Sequence, residues 1–164
     1  MKVWGVTGWK NSGKTGLVER LVAAFVARGL RVSTIKHAHA GFDIDQPGTD
    51  SARHRGAGAG EVLLASNTRW ALMHELGDAS EPGLDALLAR LGPADLVLVE
   101  GFKSEAHPKI EAYRMATGQD LRAGSDPTIR AVASDSPISD APVPVFSLDD
   151  TQALVDFIAR ELDL

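Results

Sequence analysis

Apolar residues fall into short β-rich runs separated by stretches with a four-residue repeat. The run KVWGVT (Lys2 to Thr7) ends at a glycine and predicts a buried first strand. In TGLVERLVAAFVARG, Leu17, Leu21 and Phe25 recur every four residues beside Val18, Val22 and Val26. That is the apolar stripe of a helix ending at Gly29. RVSTIKH (Arg31 to His37) reads as a second strand. Strand, glycine loop, helix and strand make a βαβ unit, which predicts a parallel sheet.

A polar loop, AHAGFDIDQPGTD, follows, and SARHRGAGA predicts a short helix. EVLLAS and TRWALMHEL predict a hairpin through a two-residue Ser-Asn connection. PGLDALLARLG reads as a helix with Pro93 just past its end. DLVLVEG (Asp95 to Gly101) is wholly apolar until its glutamate, as in a central strand covered on both faces. HPKIEAYR, IRAVAS and VPVFS predict further strands, and GQDLRAGSDP a polar surface loop. DDTQALVDFIARELDL closes the chain as a helix capped by Asp149 or Asp150. The expected fold is α/β and P-loop NTPase-like: a mostly parallel central sheet, helices on both faces and an added β-hairpin. It is expected as a single nucleotide-binding domain over residues 1–164.

Composition narrows the partners. A length of 164 residues supports a core without staples, and the lack of cysteine removes disulfides, thiol nucleophiles and thiolate metal sites. The formal net charge of -5 argues against a general nucleic-acid binder. The N-terminus shows neither signal peptide nor anchor, and no run is long enough for a membrane span. The expectation is a cytoplasmic protein with no nucleic-acid or membrane partner.

The chemistry concentrates between the first strand and first helix. GWKNSGKT, from Gly8 to Thr15, matches the phosphate-loop pattern G-x-x-x-x-G-K-[ST]. Gly8 and Gly13 let successive backbone N–H groups point inward, and the following helix adds its positive end. Lys14 is placed to reach the β- and γ-phosphates, and the Thr15 hydroxyl to bind Mg²⁺. The candidate nucleotide-binding set is Gly8, Trp9, Lys10, Asn11, Ser12, Gly13, Lys14, Thr15 and Gly16. Mg²⁺ also needs a carboxylate, and Glu100 at the end of LVLVE is the first candidate. Asp43 and Asp45 in FDID compete for that role, with a solvated turn as the alternative for each. Lys14 and Glu100 are the candidate catalytic residues.

Guanine presents adjacent N1–H and N2–H₂ donors that one carboxylate can accept together. Asp135, ending AVASD, suits that task; it equally suits the turn before Pro137. Lys36, His37, His39, Arg53, His54, Arg55, Lys103, His107 and Lys109 are expected as a basic cluster at the same edge, for a second anion or an acidic partner.

GVTGWKNSGKT, IKHAHAGFDIDQPGTDS, RHRGAGA, SNTRWALM, LVLVEGFK and AVASD, in this order, resemble the MobB family of molybdopterin-guanine dinucleotide biosynthesis adapter proteins. The resemblance runs from Val3 to the closing helix, and IKHAH…DIDQPG and VEGFK are its most specific segments. It implies a homodimeric, GTP-binding protein with Mg²⁺ that acts with the molybdenum cofactor guanylyltransferase joining GMP to molybdopterin. Molybdopterin itself is a further candidate ligand, and a weak GTPase activity is implied. By motif position Gly8 to Thr15 would hold phosphates, Thr15, Asp45 and Glu100 would sit at the metal, and Asp135 would read guanine. HPKIEAYRMATGQDL receives no site. Related dimeric NTPases place a lysine directly after the first glycine of the loop; here Trp9 stands there and Lys10 follows.

The alternative is a small-molecule kinase, which uses an arginine-bearing lid over the transferred phosphoryl group. No Arg-rich insertion is evident; Arg53 and Arg55 fall in the short helix, and GQDLRAGSDP holds only Arg122. A stand-alone hydrolytic switch needs a water-positioning residue, yet no glutamine follows VEG, and Gln46 has no pattern behind it.

Overall fold

The first strand pairs along both edges, and this decides where the loop after it lies. The structure, a computed structural model, describes residues 1–38 and 41–164. In chain order the elements are β1 (Lys2–Thr7), α1 (Lys14–Ala27), β2 (Val32–Lys36), α2 (Asp50–Gly56), β3 (Glu61–Ala65), β4 (Trp70–His74), α3 (Leu84–Leu88), β5 (Leu96–Glu100), β6 (Lys109–Tyr113), β7 (Ile129–Ser134), β8 (Val145–Ser147) and α4 (Thr151–Leu162). The chain divides into two compact units, one of residues 1–37 and 84–164, the other of residues 38–83.

In the larger unit the sheet order is β2-β5-β1-β6-β7-β8, with every pairing parallel. β1 sits between β5 and β6, with Gly5 opposite Val99 on one side and Lys109 on the other. The chain leaves β1 toward β2 at one edge and later returns to build β6 on the other side. The loop after β1 therefore opens at the switch point, where open α/β sheets bind ligands.

Alternating side chains divide the core into layers. Trp4, Val6, Leu96 and Leu98 pack with Leu17, Leu21 and Phe25 of α1 and Leu154 and Ile158 of α4. Val97 and Val99 face the opposite way, against Leu84, Leu87 and Leu88. The mostly parallel sheet with helices on both faces, and the antiparallel hairpin, are thus observed. All five residues of β5 are buried, as its apolar run requires. Asp150 caps α4, its side chain accepting from the Ala153 amide at 3.0 Å.

Several local expectations are corrected. Val26 is 53% exposed because the buried stripe of α1 runs through Leu17, Val18, Leu21 and Phe25. The predicted helix at 82–92 narrows to α3, Leu84–Leu88. The polar loop at 118–127 contains a 3₁₀ turn, Arg122–Gly124, that buries Ala123. That turn exists because the Arg122 and Ala123 amides donate to the buried Glu111 carboxylate, at 3.0 and 2.9 Å.

In the smaller unit, β3 and β4 form the antiparallel hairpin, ending at the pair Ala65 and Trp70. The Ser66 amide donates to the Arg69 carbonyl, so the two-residue turn is Asn67-Thr68, one position later than Ser-Asn. Among the described residues, no helix is long and apolar enough to cross a membrane.

Candidate functional site

β1 ends at Thr7 and α1 begins at Lys14, and the six residues between them form the loop. Gly8, Asn11 and Gly13 have φ of 136°, 64° and 95°. These left-handed turns curl the backbone into the concavity that an anion requires. Gly8 admits no side chain: a Cβ there would lie 2.3 Å from the Ala112 carbonyl oxygen and 2.7 Å from Ser12 Oγ. The Ser12 hydroxyl is buried and has no protein partner among the described residues.

Across the loop, the Thr15 hydroxyl donates to Glu100 Oε1 at 3.0 Å, and Lys36 Nζ lies 3.5 Å from the same oxygen. Parallel pairing produces this meeting. β5 lies beside β1, so its last residue, Glu100, emerges next to the start of α1. Gly101 turns the chain at φ 99°, and a Cβ there would sit 2.8 Å from His37 Cβ. Glu100 is 9% exposed.

The Lys14 ammonium donates to the Trp9 carbonyl oxygen. Burial pushes the Lys14 pKa below the usual lysine value; Glu100 opposes this, and Lys103 and Lys36 add to it by repulsion. Lys36 and Lys103 thus crowd Lys14, with Glu100 as the opposing charge. An arriving phosphate would relieve that repulsion and raise the pKa again. A hydroxyl and a carboxylate oxygen at this spacing are the hard donors that Mg²⁺ prefers, and they fit it.

The first half of the loop faces differently. Trp9 donates its indole N–H to the Asp120 carbonyl at 2.9 Å. Lys103 Nζ and the Arg122 guanidinium lie 5.4 and 5.5 Å from its ring centre, within cation–π range. Trp9, Lys10 and Asn11 line a cavity of 410 Å³ together with Ala116, Thr117 and Gln119. The segment HPKIEAYRMATGQDL, given no site from its sequence, therefore supplies the facing wall. The signal for it was long-range: β6 pairs with β1, which sets the turn after Tyr113 against the loop. Arg114, also unassigned from sequence, places Nε 3.1 Å from where a Gly13 Cβ would stand.

Asp135 follows β7 at the same sheet edge, and its Oδ1 accepts from the Met115 amide at 3.0 Å. One carboxylate oxygen thus ties down the turn behind the cavity. Asp45 belongs to the smaller unit, where it accepts from Ser51 at 2.7 Å and Thr49 at 3.1 Å, with Arg55 3.4 Å away. The Ser51 hydrogen bond foremost holds its pKa below the usual value. Asp43 binds Arg55 at 2.8 Å, and that guanidinium also reaches Glu75 at 2.7 Å.

The expected basic cluster therefore divides. Arg55 is taken up by these carboxylates, and Arg53 pairs with Asp50 at 3.8 Å. Lys109 is fully buried at the start of β6, donating to the Glu105 and His107 carbonyls and the Thr128 hydroxyl. His107, half-buried beside it, stands with it at the opposite end of the strand from the loop. Lys36 and Lys103 remain with Lys14, and the His37 ring stacks 4.7 Å from Phe102. His39 lies outside the described residues.

Known proteins resemble this chain in sequence and in fold. The model of the family MobB, molybdopterin guanine dinucleotide synthesis protein B, matches residues 3–135. A molybdopterin-guanine dinucleotide biosynthesis adapter protein of Escherichia coli (strain K12) is 41% identical over 155 residues, covering 93% of this chain and 88% of that protein. One from Haemophilus influenzae is 42% identical over 136 residues, covering 82% and 75%. A solved MobB homologue from Bacillus stearothermophilus superposes with a TM-score of 0.67 at 34% identity, covering 99% of both chains. Bacillus subtilis MobB, at 24% identity, shares the fold with a TM-score of 0.76, covering 99% of this chain and 98% of that one.

Proposed function

The chain belongs to the MobB family, and from that premise we propose that it is an adapter of molybdopterin-guanine dinucleotide biosynthesis that holds GTP on the loop from Gly8 to Thr15. In this reading it works as a homodimer with the guanylyltransferase that joins GMP to molybdopterin. The observation that carries the nucleotide reading is the hydrogen bond between Thr15 and Glu100, beside Lys14 at the mouth of a left-handed loop. A hydroxyl, a carboxylate and an ammonium in that arrangement suit a phosphate chain with its cation better than a structural turn.

Each group has a task. The inward N–H groups of the loop and the N-terminus of α1 bind the phosphate oxygens. Lys14 exchanges the Trp9 carbonyl for phosphate, which recovers its unfavourable burial as a charge pair. Thr15 and Glu100 hold Mg²⁺, which when bound neutralises phosphate charge. Hydrolysis is expected to be weak. Gly101 and Phe102 follow Glu100, and neither side chain can orient an attacking water.

The test is a titration with GTP, ATP and GMP with and without Mg²⁺, on the wild type and on Lys14→Ala. Loss of one charge-assisted contact should weaken GTP by about 10- to 100-fold. Unchanged GTP affinity in Lys14→Ala would sink the phosphate-loop reading. Turnover is then followed with and without the guanylyltransferase; rapid transfer to a small-molecule acceptor would favour a kinase instead.

A further inference from the structure

Two strands flank β1, and each delivers one charged side chain to the loop. Glu100 ends β5 and meets Thr15 on one side. Arg114 directly follows β6 and comes from the other side. Its Nε and Nη2 lie 3.1 and 3.5 Å from where a Gly13 Cβ would stand, with Leu148 Cδ2 at 3.2 Å from the same point.

We infer that Arg114 is a further nucleotide-binding residue, whose guanidinium pairs with the phosphate bonded to the ribose. The inference rests on the proposed function, because it needs a nucleotide on the loop.

The surroundings of Arg114 call for an anion. Its side chain is exposed and has no hydrogen bond or ion pair among the described residues. It lies against the loop, where Gly13 leaves it room. Arg20, the guanidinium beside Gly16 in the first turn of α1, is already committed. It donates to Thr151 Oγ1 at 3.1 Å and to the Leu148 carbonyl at 2.7 Å. Gly13 caps α1 without a side chain, and no acidic residue stands in the first turn. The positive end of the helix, Lys14 and Arg114 therefore converge, and like charges so placed repel until a phosphate oxygen arrives. The same loop holds the Ser12 hydroxyl, 1% exposed and without a partner among the described residues. A buried donor of that kind is satisfied by a ligand acceptor.

Sheet order selects the phosphate. Neighbouring strands run β5, β1, β6, β7, so Glu100, the loop, Arg114 and Asp135 follow one another along the sheet edge. The Met115 amide, next to Arg114, donates to Asp135 Oδ1 at 3.0 Å. With the cation and terminal phosphates at Thr15 and Glu100 and the base toward Asp135, the innermost phosphate falls beside Arg114. There the guanidinium fork can hold two of its oxygens. The terminal phosphate lies on the far side, so Arg114 contributes to holding the nucleotide and not to cleaving it.

The experiment compares Arg114→Gln and Arg114→Lys with the wild type. GTP is titrated by calorimetry at low and high salt and over a Mg²⁺ series, and hydrolysis of bound GTP is followed in a single turnover. Arg114→Gln should weaken GTP about tenfold at low salt, with the deficit narrowing as salt rises. Arg114→Lys keeps the charge and should recover part of the loss. The Mg²⁺ dependence, the single-turnover rate and the melting temperature should stay at wild-type values. An affinity of Arg114→Gln within about twofold of wild type would overturn the inference. So would a deficit indifferent both to salt and to the lysine, which is the pattern of ring stacking rather than charge. A single-turnover rate lowered about tenfold would move Arg114 to the terminal phosphate, and a lowered melting temperature would make it structural; either overturns the assignment. A wild-type chain that fails to bind GTP removes the loop reading and this inference together. Intact wild-type binding with an unaltered Arg114→Gln removes this inference alone.

Discussion

The Thr15 hydroxyl and Glu100 Oε1 lie 3.0 Å apart across a separation of 85 residues. Lys36 reaches the same oxygen at 3.5 Å. Glu100→Gln keeps the shape and removes the charge. It should flatten the Mg²⁺ dependence of GTP binding while lowering Mg²⁺-free affinity little. Thr15→Ala should act the same way, because both groups serve one cation. A Mg²⁺ titration identical to wild type in Glu100→Gln would remove the metal role.

Asp135 separates a structural task from a recognition task. In Asp135→Asn the side-chain carbonyl can still accept from the Met115 amide, so the turn should survive. The amide cannot accept two adjacent guanine donors. The preference for GTP over ATP is expected to fall roughly tenfold with unchanged thermal stability. Competition between the two nucleotides measures it, and unaltered selectivity would place the base reader elsewhere.

Gly8→Ala should damage the loop directly. The new Cβ would meet the Ala112 carbonyl at 2.3 Å, on a backbone with φ 136°. A cost of about 1–3 kcal/mol is expected in urea unfolding, together with loss of GTP binding. Wild-type stability in this variant would show that the loop rearranges easily.

Acid sensitivity should arise far from the loop. Burial holds the His107 pKa down to about 4 against 6.5, with Lys109 pushing the same way and Asp126 opposing. Neither ring nitrogen has a partner among the described residues. As pH falls through 6.5 the unfolded chain takes up a proton that the folded chain refuses until about 4. Stability should therefore decline as pH falls across that window. His107→Leu should flatten the decline in melting temperature; an unchanged slope would assign it to other groups.

Most elements were legible because their signals are local. A two-residue alternation or a four-residue stripe records which side of one segment is buried. The loop was legible for the same reason: its glycines, lysine and threonine act within a single turn. The smaller errors arose where local pattern and packing disagree. Val26 continues the four-residue spacing of α1 yet faces outward at 53% exposure, and Ala123 is buried where Glu111 gathers the amides around it.

By itself, then, the sequence determined the α/β class, the placement of nearly every element, the phosphate-loop pattern and the family resemblance. Only the tertiary structure decided which acid meets Thr15, which cations stay with Lys14, and what stands opposite Trp9. FDID and LVLVE both offered a carboxylate; pairing β5 beside β1 brought Glu100 to the loop, while Ser51, Thr49 and Arg55 engaged Asp45 in the smaller unit. Lys109 and Lys103 look alike in sequence, yet one is sealed at the start of β6 and the other stands over Trp9. Strand order is a contest among distant segments for the same edge. Its outcome depends on summed burial across the whole sheet, which no short window of residues records.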